Sequence, residues 1–178
     1  PHSEYIKPEI LNEVNENLQG SFHGIGVSFR IEKDTITILN TIKGGPSEKV
    51  GLMAGDRIIY VGDSLVAGNK VTNKTAMSLL KGERGTKINV KIKRRGIDEL
   101  LGFTITRDVI PTHSVDVAYM IDDEIGFIKM TKFSATTHKE FVKALKELRS
   151  EGMTKLVLDL RGNTGGYLGE AVGIADEM

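Results

Sequence analysis

Cysteine is absent from this 178-residue chain, which removes disulfides, thiolate metal sites and cysteine nucleophiles together. The absence assigns no compartment. Tryptophan is missing too. No stretch holds 18 consecutive apolar residues, so no segment reads as a membrane-spanning helix. There is no excess charge of either sign, because 24 Lys and Arg balance 24 Asp and Glu. A nucleic-acid binder normally carries a basic surplus, so that class is disfavoured. The four histidines, His2, His23, His113 and His138, show no H-E-x-x-H or similar ligand spacing, so no metal or cofactor site is predicted. The opening Pro1-His2-Ser3 is not a signal peptide, and the close at Tyr167–Met178 reads as a helix without a stop. The expectation is a fragment of a longer protein.

What is present is a change of hydrophobic period along the chain. From Pro8 to Leu18 the apolar residues Ile10, Leu11, Val14 and Leu18 recur at helical spacing, with Gly20 as a stop. From about Gly24 the period becomes two. Thr35–Leu39, Lys87–Lys93 and Phe103–Thr106 alternate, which predicts strands with one buried and one wet face. The lysines of 87–95 suggest a solvated edge. Ile58–Val61 is a short apolar strand. Helices fit at 47–50 and at 74–80, the second with Asn73 as N-cap. The result is a compact α+β module.

After Pro111 the pattern is different. Gly126–Met130 is a strand, Thr137-His138-Lys139-Glu140 is a capping box opening a helix, and Leu156–Leu160 is a near-continuous apolar strand. Such a strand is expected to be parallel and covered on both faces. A lone βαβ unit cannot bury its sheet, so this part is read as incomplete.

Two glycine-rich turns could carry chemistry. In Gly24-Ile25-Gly26-Val27 the alternate glycines let successive N–H groups converge, which suits an anion. Set before the apolar Val27–Phe29 strand, such a loop can capture a peptide carboxylate and add the peptide as a strand. An ordinary tight turn would look the same. The second turn, Gly162-Asn163-Thr164-Gly165-Gly166, joins a buried strand to a helix start. That geometry suits an oxyanion, or a plain structural turn. The P-loop and Rossmann spacings are both missing. His113-Ser114 are neighbours, so they cannot readily act as a base–nucleophile pair.

The run Lys43–Asp63, with Gly44-Gly45-Pro46 and Ala54-Gly55-Asp56, resembles the signature of PDZ domains. The resemblance implies an antiparallel, partly open barrel with two helices. It makes Gly24, Ile25, Gly26 and Val27 the carboxylate loop and Val27 to Phe29 the pairing strand. Ala76, Met77 and Leu80 become candidates for the opposite wall, with plain core packing as the alternative. Residues 126–130, Phe133-Ser134, the following helix and Leu158–Gly166 are similar to the front of the core of carboxyl-terminal processing (tail-specific) serine peptidases. Pro1–Tyr5 resembles a stretch that precedes the PDZ domain in those enzymes. Thr164 stands where that family usually has proline.

The implied organisation is a linker helix at 1–20, a PDZ domain at 21–108 and the amino-terminal part of a peptidase core at 109–178. The family's Ser–Lys dyad lies downstream of the Gly-Gly pair. No catalytic serine or lysine is therefore assigned, while Gly165 and Gly166 fall where the family supplies an oxyanion-hole N–H. The expected function is recognition of protein C-termini and hydrolysis of peptide bonds in the bacterial cell envelope, with this chain binding but not cleaving. The implied partners are proteins or peptides with a free C-terminus. The alternatives are a non-catalytic PDZ adaptor and a trypsin-like protease with an appended PDZ domain.

Overall fold

The structure is a computed structural model that describes residues 8–178, with side chains from Leu11 onward except those of 12, 13 and 17. The Pro1–Tyr5 stretch and His2 lie outside the described residues. In chain order the elements are α1 (Pro8–Gln19), β1 (Ser21–Gly24), β2 (Val27–Glu32), β3 (Thr35–Thr41), α2 (Pro46–Lys49), β4 (Arg57–Val61), β5 (Ser64–Leu65), α3 (Asn73–Leu80), β6 (Lys87–Lys93) and β7 (Leu101–Thr106). They continue with β8 (Asp108–Pro111), β9 (Val115–Met120), β10 (Ile125–Met130), α4 (Thr137–Ser150), β11 (Lys155–Asp159) and α5 (Leu168–Ala175). The chain forms two compact units, one of residues 23–110 and one of residues up to 22 and from 111 on.

The 23–110 unit is an antiparallel sheet in the order β2-β3-β4-β6-β7, with β5 added to β4. Both β2 and β7 end the sheet, so the barrel stays open. Alternation explains β6: Ile88, Val90 and Ile92 are buried while Lys87, Asn89 and Lys91 are exposed. This strand lies between β4 and β7, so its lysines mark a wet face and not the sheet edge expected from the sequence. In β3 the expected wet face is covered as well. Thr35, Ile36, Thr37 and Ile38 are all buried, and Thr35 Oγ1 accepts from Arg57 Nη2 at 3.3 Å. Ile36, Ile38, Ile58, Val90, Ile92, Ile105, Ala76 and Leu80 form one core. Truncating any of these isoleucines to alanine costs about 2–5 kcal/mol.

The Ala54-Gly55-Asp56 motif has a local reason. Gly55 takes a left-handed φ of +88°, which glycine tolerates best. Asp56, 1% exposed, accepts from the Met53 amide at 2.9 Å and from Arg94 Nε and Nη2, both at 2.8 Å. The Asp56 carboxylate in turn raises the Arg94 pKa. For α3 the N-cap is Thr72, whose hydroxyl accepts from Thr75 N at 3.1 Å, and not the expected Asn73. Asn73 is the first helical residue.

In the other unit, β9 and β10 pair antiparallel, and β10 and β11 pair parallel across α4. Ile128 and Met130 of β10 meet Phe141, Ala144, Leu145 and Leu148 of α4, with Leu156 and Leu158 of β11 packed alongside. The opposite face is open: Val117, Tyr119 and Val157 are 40–49% exposed. The strand at 156–160 is thus parallel as expected, but it is a sheet edge covered on one face only. The α1 helix belongs to this unit, where Leu18 O accepts from Ala135 N at 2.8 Å.

The start of α4 also differs from the capping box. The N-cap is Thr136, and Thr137 Oγ1 accepts from Ser134 N at 2.7 Å. Glu140 reaches away, accepting from the amides of Ser114 and Val115 and from Thr136 Oγ1.

Candidate functional site

Each unit holds one of the two glycine turns. In the first, β1 ends at the buried Gly24 and β2 begins at Val27, so Ile25 and Gly26 alone make the bend. Gly26 has φ +73°, a region that L side chains rarely adopt. A Cβ there would come within 3.0 Å of Ile110 Cδ1 and 3.3 Å of Pro46 Cδ. The bend is held by its carbonyls: Ser47 N donates to Ile25 O at 3.0 Å, and Ile42 N to Gly26 O at 2.9 Å. The amides of Ile25 and Gly26 donate in none of the described hydrogen bonds. Fixed carbonyls with uncommitted amides are what an anion-binding loop requires.

Side chains around this loop divide cleanly. Ile25 is 2% exposed and anchors the core, and Gly24 and Gly26 are buried on either side of it. Val27 and Phe29 pack against the same cluster that contains Ala76 and Leu80. Ala76 and Leu80 are themselves core residues, whereas Met77 stands 37% exposed on α3. The outer edge of β2 pairs with no described strand.

The carboxyl-terminal end of α3 has a fixture that the sequence did not reveal. Arg107 donates from Nη2 to Leu79 O at 2.9 Å and from Nε to Leu80 O at 3.2 Å. A guanidinium on the last carbonyls satisfies otherwise unpaired acceptors and complements the helix dipole.

The second turn follows β11. Asp159, 7% exposed, accepts from the Arg161 amide and Nε, both at 2.9 Å, and from Arg161 Nη2 at 2.8 Å. The Arg161 side chain and amide hold its carboxyl at about 2. The turn then lies against residues 130–133: Asn163 Nδ2 donates to Met130 O, Thr164 N to Thr131 O, and Phe133 N to Gly165 O. Tyr167 N closes the ladder onto Phe133 O at 2.8 Å.

The two glycines are not equivalent. Gly165 N donates to Asn163 Oδ1 at 2.8 Å, while Gly166 N donates in none of the described hydrogen bonds. Of the expected pair, only Gly166 offers an uncommitted amide. Gly166 has φ +142°, and a Cβ on it would collide with the Phe133 carbonyl. A cavity of about 200 Å³ opens beside the pair, lined by Val14, Leu18, Lys132, Phe133 and Ser134. Burial lowers the Lys132 pKa, and its Nζ donates to Thr112 Oγ1 at 2.8 Å.

Of the described histidines, His138 makes hydrogen bonds to two carboxylates. His138 N donates to Glu170 Oε2 and its Nε2 lies 3.2 Å from Glu177 Oε1. Exposed His113 and buried Ser114 do not form a pair, because the Ser114 hydroxyl bonds Ser134 and Thr137. No cluster of three His, Asp or Glu able to hold a metal occurs among the described residues.

Comparison with known proteins now bears on both turns. Residues 24–105 match the PDZ domain family and residues 124–178 match peptidase family S41. A PDZ domain thus stands ahead of a segment that matches peptidase family S41. It is 37% identical over 172 residues to the carboxy-terminal processing protease CtpA of Bacillus subtilis, covering 97% of this chain and 36% of that protein. CtpB of the same organism is 34% identical over 170 residues, covering 94% and 35%. The chain therefore spans about a third of the length of these curated relatives. The photosystem II D1 C-terminal processing protease is similar in fold, with a TM-score of 0.53 at 24% identity, over 97% of this chain and 48% of that one. No described helix is long and apolar enough to cross a membrane.

Proposed function

We propose that this chain is the PDZ-bearing portion of a carboxyl-terminal processing serine endopeptidase. In this reading the PDZ unit receives protein C-termini, with β2 pairing to the incoming chain and the Ile25 and Gly26 amides meeting its terminal carboxylate. The observation that carries it is the Ile25-Gly26 bend, fixed by its carbonyls and adjoining an unpaired strand edge. An extended peptide on such an edge gains main-chain hydrogen bonds, and the charged terminus fixes its register.

The peptidase portion contributes the Gly166 amide to the oxyanion of the tetrahedral intermediate. The attacking serine hydroxyl and the lysine that takes its proton follow the family pattern and lie downstream of Gly166. On this proposal the 178 residues alone are expected to bind peptide and not to cleave it. The envelope location stays part of the same proposal.

Two measurements test this. Adding a peptide with a free C-terminus should perturb the NMR resonances of Ile25, Gly26 and Val27–Phe29 first. Perturbation confined to other surfaces contradicts the binding reading. The full-length protein should cleave an unstructured polypeptide and lose that activity to serine-directed inhibitors. Binding without any cleavage by the full-length protein favours the adaptor.

A further inference from the structure

Three hydroxyls in the peptidase portion are fully buried at 0% exposure: Ser114, Ser134 and Thr137. They bond to one another. Ser114 Oγ and Ser134 Oγ are 2.7 Å apart, Thr137 Oγ1 donates to Ser114 Oγ at 2.7 Å, and Ser134 N donates to Thr137 Oγ1 at 2.7 Å. Glu140 fixes the outer side of the cluster, accepting from Ser114 N at 2.7 Å and Val115 N at 3.1 Å. Burying hydroxyls is costly, and three apolar side chains could fill the same space without that cost. Hydrogen bonds, unlike apolar contacts, fix direction as well as distance.

What they fix is the segment 131–134. Its inner side is tied to the cluster through Ser134 N and through Thr131 N on Ser114 O at 3.0 Å. Its outer side carries the glycine turn, with Phe133 N on Gly165 O and Tyr167 N on Phe133 O, both at 2.8 Å. Gly166 lies between those two bonds, in a parallel bridge with Phe133.

We propose that Ser114, Ser134 and Thr137 are positioning residues that set the Gly166 amide through the Phe133 backbone. This rests on the reading of Gly166 as an oxyanion donor. The cluster makes no contact with substrate; it holds residues 131–134 rigid, so that the amide already points where negative charge develops. A preorganised donor needs no reorganisation at the moment of reaction.

The test compares Thr137→Val, which keeps the shape and removes the hydroxyl, with Thr137→Ser, which keeps the hydroxyl. Both are made in the full-length protein. Hydrogen exchange is read by mass spectrometry over peptides covering 131–134 and 164–168, and peptide hydrolysis is resolved into kcat and KM. Thr137→Val should speed exchange in both segments by about tenfold, as expected when a buried donor loses its partner. It should lower kcat by a similar factor and leave KM unchanged, while Thr137→Ser restores both. Unchanged exchange in 164–168 overturns the proposal. Faster exchange with unchanged kcat overturns it too. If the full-length protein shows no peptidase activity, the functional reading fails, and exchange alone then decides whether the cluster holds the turn. Should Thr137→Val not fold, Ser114→Ala is judged by the same readings.

Discussion

Asp159 grips Arg161, two residues ahead in the chain, through three hydrogen bonds: one to its amide and two to its guanidinium, all 2.8–2.9 Å. The contact shapes the exit from β11 just before the glycine turn. It also explains why an acid should interrupt the apolar run Leu156–Leu160.

The Asp159 grip makes a pH prediction. Its carboxyl is held at about 2 against an ordinary 3.8. A depressed folded-state value means that the contribution is complete above the unfolded pKa and is lost as pH falls toward 2. Urea unfolding of the protein and of Asp159→Asn should differ most above about pH 5 and converge near pH 2. A difference that grows on acidification contradicts this.

Removing Asp56 should be the most destabilising single change in the PDZ unit's surface turns. Asp56→Ala leaves the Arg94 guanidinium with the Gly51 carbonyl but without its carboxylate, and the Met53 amide without its acceptor. Leaving such donors without their acceptor costs about 1–3 kcal/mol. Denaturant titration checks this, and a loss under 1 kcal/mol would refute the role given to the pair.

Gly26→Val should be damaged in two ways. The left-handed φ of +73° costs an L side chain about 1–2 kcal/mol. The new methyls must also displace Ile110 or Pro46. A lower melting temperature together with loss of peptide binding is expected, and undiminished binding would remove the loop from the site.

Gly166→Ala in the full-length protein should abolish hydrolysis while leaving peptide binding to the PDZ unit intact. The Cβ would strike the Phe133 carbonyl and push the turn away. Separate binding and cleavage assays distinguish this outcome from general unfolding, which would remove both.

Much of this was legible in the sequence, for physical reasons. Ile88, Val90 and Ile92 alternate with polar residues because one face of β6 is buried. The Phe141, Ala144, Leu145 and Leu148 stripe faces the β10 sheet at helical spacing. The strand β9 is not legible in the sequence, because Val115-Asp116-Val117-Ala118-Tyr119-Met120 has its apolar residues on both faces, one of which is open. The Thr137 capping box read correctly as a helix start, but local sequence could not show that its hydroxyl serves Ser134. The Ser114–Thr137 bond spans 23 residues, and Arg107 reaches Leu79 across 28. Such contacts come from topology, not from spacing. Likewise Gly165 and Gly166 look alike in sequence, and only Asn163 separates their amides into committed and uncommitted.

The central claim is that the Ile25-Gly26 bend receives a terminal carboxylate. Isothermal titration with one peptide in two forms, free acid and C-terminal amide, tests it most directly. The account predicts at least about tenfold tighter binding of the acid, the scale of a charged hydrogen bond gained, and disappearance of that gap in Gly26→Val. Equal affinity for the two forms would contradict it.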